Sequence, residues 1–124
     1  MEHRETWKAV RQGLLELHKI LLDRERALYE AQHNVSLSPG EFLQLALGND
    51  QFAWLRQLSG LVIQFDEALS LRKPATPEEG AALLVETRRL LTGRGPAAFE
   101  QRYQPALSVT PAAVRLRDEI LLRL

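Results

Sequence analysis

The sequence predicts an all-α protein: an antiparallel bundle of about four long helices joined by two short helical connectors. Three observations carry that prediction. Leucine is abundant while aromatic residues make up only 6%, a balance that suits helix packing. No segment shows the period-two alternation of a half-buried strand. One punctuation mark also recurs at Ser38-Pro39, Thr76-Pro77 and Thr110-Pro111. A Ser or Thr at the N-cap accepts a bond from an orphan backbone N–H, and Pro at N1 loses nothing because its missing N–H would be unpaired. Glu41 and Glu79 stand three residues after the first two caps and complete capping boxes. The marks lie 38 and 34 residues apart, but the segments between them share no further pattern, so they reflect common capping physics rather than a solenoid repeat.

The first helix is expected over residues 4–32. Trp7, Val10, Leu14, Leu17, Leu21 and Leu28 follow the three-four spacing of a core seam, Leu15, Leu22 and Tyr29 form a second stripe, and Ile20 widens the first. At 1.5 Å per residue this rod is roughly 40 Å long. A short helix over 39–47 ends near Gly48-Asn49, with Asp50 placed to cap a third helix over 51–71. The fourth runs from Pro77 to Leu91 and stops at Thr92-Gly93. Gly95-Pro96 opens a shorter piece containing Phe99 and Tyr103, which Pro105 should end or kink. The last runs from Pro111 onward with Leu116, Ile120, Leu121 and Leu124 inward. Short connections make consecutive long helices antiparallel neighbours.

Composition narrows the setting. A chain of 124 residues reads as one domain, 1–124, able to bury a real core. It has no cysteine, so neither a disulfide framework nor a thiolate metal site is available, and a reducing, cytoplasmic home is expected. Sixteen basic and sixteen acidic side chains cancel, which gives no electrostatic reason to expect a nucleic-acid or membrane partner. No apolar run approaches the roughly 20 residues of a membrane span, and the charged start MEHRETWKAVR lacks an apolar signal core. Thirteen arginines against three lysines, with plentiful Ala, Gly and Pro, fit a GC-rich bacterial genome better than phosphate recognition.

The stretch NDQFAWLRQLSGLVIQFDEAL, residues 49–69, holds Ser59 and Asp66 amid apolar surface. On a helical wheel both fall between a broad arc (Leu55, Leu58, Leu61, Val62, Phe65, Leu69) and a smaller one (Phe52, Ile63). In the first helix His18 lies between Leu14 and Leu22, Arg24 interrupts the leucine seam, and Glu25 projects close to it. A lone buried carboxylate costs several kcal/mol or takes up a proton, so a compensating group is expected. With the first and third helices antiparallel, Asp66 should come level with His18 and bond to it or to Arg24, with Ser59 helping. The bland reading is a satisfied polar layer that fixes register. A small-molecule pocket lined by His18, Arg24, Ser59 and Asp66 is the alternative. A Ser-His-Asp catalytic set is the least favoured, because Ser59 is mid-helix and no oxyanion donors are apparent.

Other features have ordinary explanations. Glu30-Ala-Gln-His33 matches the Glu-x-x-His unit of di-iron bundles, but such a site needs two copies and further inward glutamates. No metal or other cofactor is therefore expected. Thr92-Gly-Arg-Gly-Pro96 could cradle an anion, yet glycine after a helix more commonly serves as a left-handed cap. Arg88, Arg89, Arg94 and Arg102 form a mildly basic patch that reads as a solvated face. Trp7 and Trp54 read as core or interface anchors.

The stretch LSPGEFLQLALGNDQFAWLRQLSGLVIQFDEAL resembles one found in small bacterial proteins described only as being of unknown function. It covers about a quarter of the chain, and it implies a bacterial, cytoplasmic, all-helical protein without implying an activity.

The expected role is that of a non-enzymatic helical protein that forms a homodimer or other homo-oligomer, or binds a protein partner. The apolar arc of the first helix is too wide for one neighbour to cover, and surplus of this kind usually marks an interface. Trp7, Leu15, Leu22, Tyr29 and Trp54 are its candidate interface residues.

Overall fold

In the computed structural model, which describes residues 2–124, every regular element is helical. α1 spans Glu2–His33, α2 Pro39–Gly48, α3 Arg56–Ala68, α4 Pro77–Leu91, α5 Ala97–Val109 and α6 Pro111–Leu121. A 3-10 stretch, Asp50–Leu55, leads into α3. The protein is all-α, and α2, α4 and α6 begin at the three prolines the cap pattern marks.

Two of the three caps form as their chemistry requires. Ser38 Oγ accepts from Glu41 N at 3.2 Å while the Glu41 carboxylate accepts from Ser38 N at 2.9 Å. Thr76 and Glu79 repeat the exchange at 3.1 and 2.8 Å. These bonds hold the Glu41 and Glu79 carboxyls below their usual range. Thr110 departs from the pattern: it joins α5 directly to α6, its φ,ψ of −129°,83° lack the extended ψ near 161° of the other caps, and its buried Oγ1 has no partner.

Two element boundaries also differ from expectation. The third helix opens as a 3-10 stretch, so its first turn does not share α3's wheel. α5 continues through Pro105 to Val109. Phe99 and Tyr103 before the proline and Ala106 and Leu107 after it are all buried, and this burial outweighs the one backbone bond that proline removes.

α1 is the spine. Val10, Leu14, Leu17 and Leu21 are wholly buried along one side, and α3 and α6 take the largest shares of that surface. The α1–α3 pairing is antiparallel, because Arg4 donates to the Leu69 carbonyl, Arg11 pairs with Asp66, and Glu25 meets Trp54. α5 packs on the 3-10 stretch through a ring cluster in which Phe99 stacks on Tyr103, with centroids 4.7 Å apart, and meets Trp54 at a tilt, 5.7 Å away. Tyr103 donates to the Leu91 carbonyl at 3.3 Å, and burial pushes its phenol well above the usual tyrosine range.

Glycine allows two of the closest approaches. A Cβ built at Gly80 of α4 would land inside the Trp7 ring, and one at Gly13 of α1 would lie 2.6 Å from Ile120 Cγ1 of α6. Because the indole is rigid and enclosed, Gly80→Ala should destabilise the fold by about 1–3 kcal/mol despite alanine's better helix propensity. Urea unfolding checks the sign: a variant as stable as the parent would mean that Trp7 moves aside freely.

Candidate functional site

The seam between α1 and α3 is where the sequence concentrates its polar residues. The carboxyl group buried there is Glu25, not Asp66. Glu25 is 3% exposed, and its two oxygens accept from Trp54 Nε1 at 3.1 Å and Gln51 Nε2 at 3.0 Å. The 3-10 geometry of 50–55 points both donors at α1, and Asn49 Oδ1 fixes the start of this turn by accepting from Gln51 N at 2.9 Å. A buried indole N–H needs an acceptor and a buried carboxyl needs donors, so each satisfies the other.

Asp66 is half exposed and pairs with the Arg11 guanidinium, with a side-chain exposure of 51%. The expected bond to His18 or Arg24 does not form. His18 is seven residues further along α1, about 10 Å. The register differs because the 3-10 stretch, with α2 packed on it, takes up the end of α1. There the Phe52 ring lies 6.0 Å from Tyr29 and 6.2 Å from Phe42, and the Arg26 guanidinium caps Phe42 at 4.5 Å. The last two turns of α1 are thereby occupied, and α3 sits two turns nearer the start of α1. The smaller apolar arc also dissolves, since Phe52 belongs to the 3-10 stretch and Ile63 is 59% exposed. The gap that was to hold Ser59 and Asp66 therefore opens to solvent. Ser59 donates only to the Arg56 carbonyl at 3.3 Å.

The proposed pocket of His18, Arg24, Ser59 and Asp66 is thus not assembled. The groove beside Asp66, about 550 Å³, is lined by other residues: Glu5, Lys8, Arg11, Gln12 and Leu69 among them. Arg11 and Gln51 are the residues that the sequence reasoning missed, along with the role of Trp54 as a donor to Glu25. Trp54 carried a usable signal, an indole in a core-forming stretch that must find an acceptor, with Glu25 the nearest seam carboxyl.

The interface candidates separate in the same way. Trp7 and Trp54 are buried in their own chain, Leu22 and Tyr29 pack partly against the core, and Leu15 alone reaches solvent appreciably. α1 is covered by α3, α4, α6 and the 3-10 stretch, so the surplus expected on its flanks is largely taken up internally.

Glu30 and His33 are engaged locally. Glu30 accepts from Leu37 N at 2.8 Å, and the His33 ring stacks on Tyr29 at 4.1 Å. Among the described residues no three His, Asp or Glu side chains group to hold a metal. In the 92–96 turn, Gly93 adopts the left-handed φ of 86° of a helix cap. The anion held there is the chain's own: Glu100 accepts from Gly95 N at 3.0 Å. No protein-family model, curated protein or solved structure matches this chain. No helix among the described residues is long and apolar enough to cross a membrane.

Two measurements follow from this geometry. Trp54→Phe removes one of the two donors to a buried carboxyl and should cost about 1–3 kcal/mol, read by chemical denaturation; an unchanged midpoint would mean that Glu25 is satisfied without the indole. Burial lowers the His18 pKa below its ordinary 6.5, so the unfolded chain binds the proton more readily. The stability linked to His18 is then complete above pH 6.5 and is lost as pH falls from there through the lowered folded value. His18→Gln should flatten the unfolding free energy across that window, and an identical pH profile would contradict the assignment.

Proposed function

We propose that this chain is a non-enzymatic helical interaction protein that self-associates through apolar helix surface. The surface is not the one expected on α1. The carrying observation is that large aliphatic side chains stand more than half exposed within other helices: Leu43 and Leu47 on α2, Ile63 on α3 and Val85 on α4. Single exposed aliphatics are ordinary, but here they recur at one-turn spacing or on neighbouring helices. α2 carries five apolar residues and one charge, and none of its residues is fully buried.

The internal chemistry supports a role without catalysis. The buried polar side chains of Glu25, Thr87 and Tyr103 are each hydrogen-bonded within the chain. A nucleophile needs a base and an orienting group around open space, and none of these three has that setting.

Light scattering and sedimentation across the micromolar range test the reading. Mass should rise with concentration toward a small closed oligomer. A protein that remains strictly monomeric at high micromolar concentration in low salt would remove it.

A further inference from the structure

α3 and α4 lie side by side and antiparallel, and a furrow runs between them. At one end, a hollow of about 720 Å³ is lined by Arg56 of α3, Arg89 of α4 and Arg94 just beyond it, with Glu86 its one acidic residue. At the other, a hollow of about 410 Å³ is lined by Glu67 of α3 and Glu79 and Glu86 of α4, with Lys73 its one base. Gln64 and Glu86 line both hollows, which makes them one furrow with a basic end and an acidic end. Among the described residues, none of these arginines or glutamates forms an ion pair within the chain. Beside the midpoint stand Ile63 and Val85, each the chain neighbour of a shared lining residue and 59% and 57% exposed.

We propose that a second copy of this chain docks on this furrow about a two-fold axis near Gln64 and Glu86, placing the basic end of each copy against the acidic end of the other. The inference rests on the self-association reading and specifies its surface. A two-fold interface uses one patch twice, so it must be complementary to itself. A furrow that is basic at one end and acidic at the other, with the exposed Ile63 and Val85 beside its middle, meets that condition.

The size of the face sets the strength. α3 has 13 residues, about 20 Å, and two helices side by side span about 20 Å, so each copy contributes roughly 400 Å². A typical stable interface takes about 800 Å² per partner. The dimer should therefore be weak and strongly salt-dependent, since exposed charges are screened beyond about 8 Å at physiological ionic strength.

Charge reversal and mixing test it on the full chain, by sedimentation in low salt. Arg89→Glu with Arg94→Glu makes both ends acidic, while Glu67→Arg with Glu86→Arg makes both ends basic. None of these four side chains caps a helix or enters the core, and circular dichroism verifies the fold of each variant. Each variant alone should dimerise at least about tenfold more weakly than the parent, because like charges then oppose each other. An equimolar mixture of the two should restore association as heterodimers. If both variants dimerise as well as the parent, the surface is wrong although self-association stands. If both weaken and mixing restores nothing, end-to-end charge pairing is wrong, as it would be were the arginines to hold a small anion instead. A strictly monomeric parent overturns the self-association reading itself.

Discussion

Glu25 presents its carboxyl to Trp54 and Gln51 from the inner side of α1, and the path of the next forty residues depends on those two bonds. They fasten the 3-10 stretch to the spine at one level, and α3 follows from it with its register decided. Asp66 then reaches Arg11 and Arg4 reaches the end of α3. α4 packs against α3 and brings Gly80 up to the Trp7 ring. The energetics reinforce the geometry: a buried carboxyl that loses a donor leaves a polar group unsatisfied at full desolvation cost. A slip of α3 by one turn is therefore opposed by more than the loss of apolar contacts.

Much of the fold was legible in the sequence because it is governed locally. Ser38-Pro39 and Thr76-Pro77 start helices through bonds that span three residues, and the leucine spacing of α1 identifies its core seam. The site was legible only in kind. A polar layer in the α1–α3 seam was foreseeable, as was the need of any buried carboxyl for a donor. Which carboxyl fills the role depended on register, and register depended on the 3-10 stretch, through Phe52 beside Tyr29 and through the donors to Glu25. That packing involves residues distant in sequence and a 3-10 turn that periodicity does not announce. Thr110 shows the same limit at a cap: its Ser/Thr-Pro mark starts α6, but the direct junction with α5 leaves its hydroxyl unpartnered.

Electrostatic neutrality of the whole chain conceals segregation along α3 and α4. The equal count of acids and bases describes the whole chain and gave no electrostatic reason to expect a polyanionic partner. It says nothing about how charges are arranged, and here arginines gather at one end of a furrow and glutamates at the other. Arg88, Arg89, Arg94 and Arg102 looked like one diffuse patch in sequence. Packing selects Arg89 and Arg94, adds Arg56 from another helix, and aligns the set.

The two tryptophans occupy opposite stations on the spine. Trp7 nests on Gly80 near one end, whereas Trp54 bonds to Glu25 about 27 Å along the axis. Their indoles consequently report on separate neighbourhoods, one apolar and one hydrogen-bonded to a carboxyl. Emission from single-tryptophan versions thus offers an optical means of learning whether the molecule melts as one cooperative unit or frays first where α4 meets the spine.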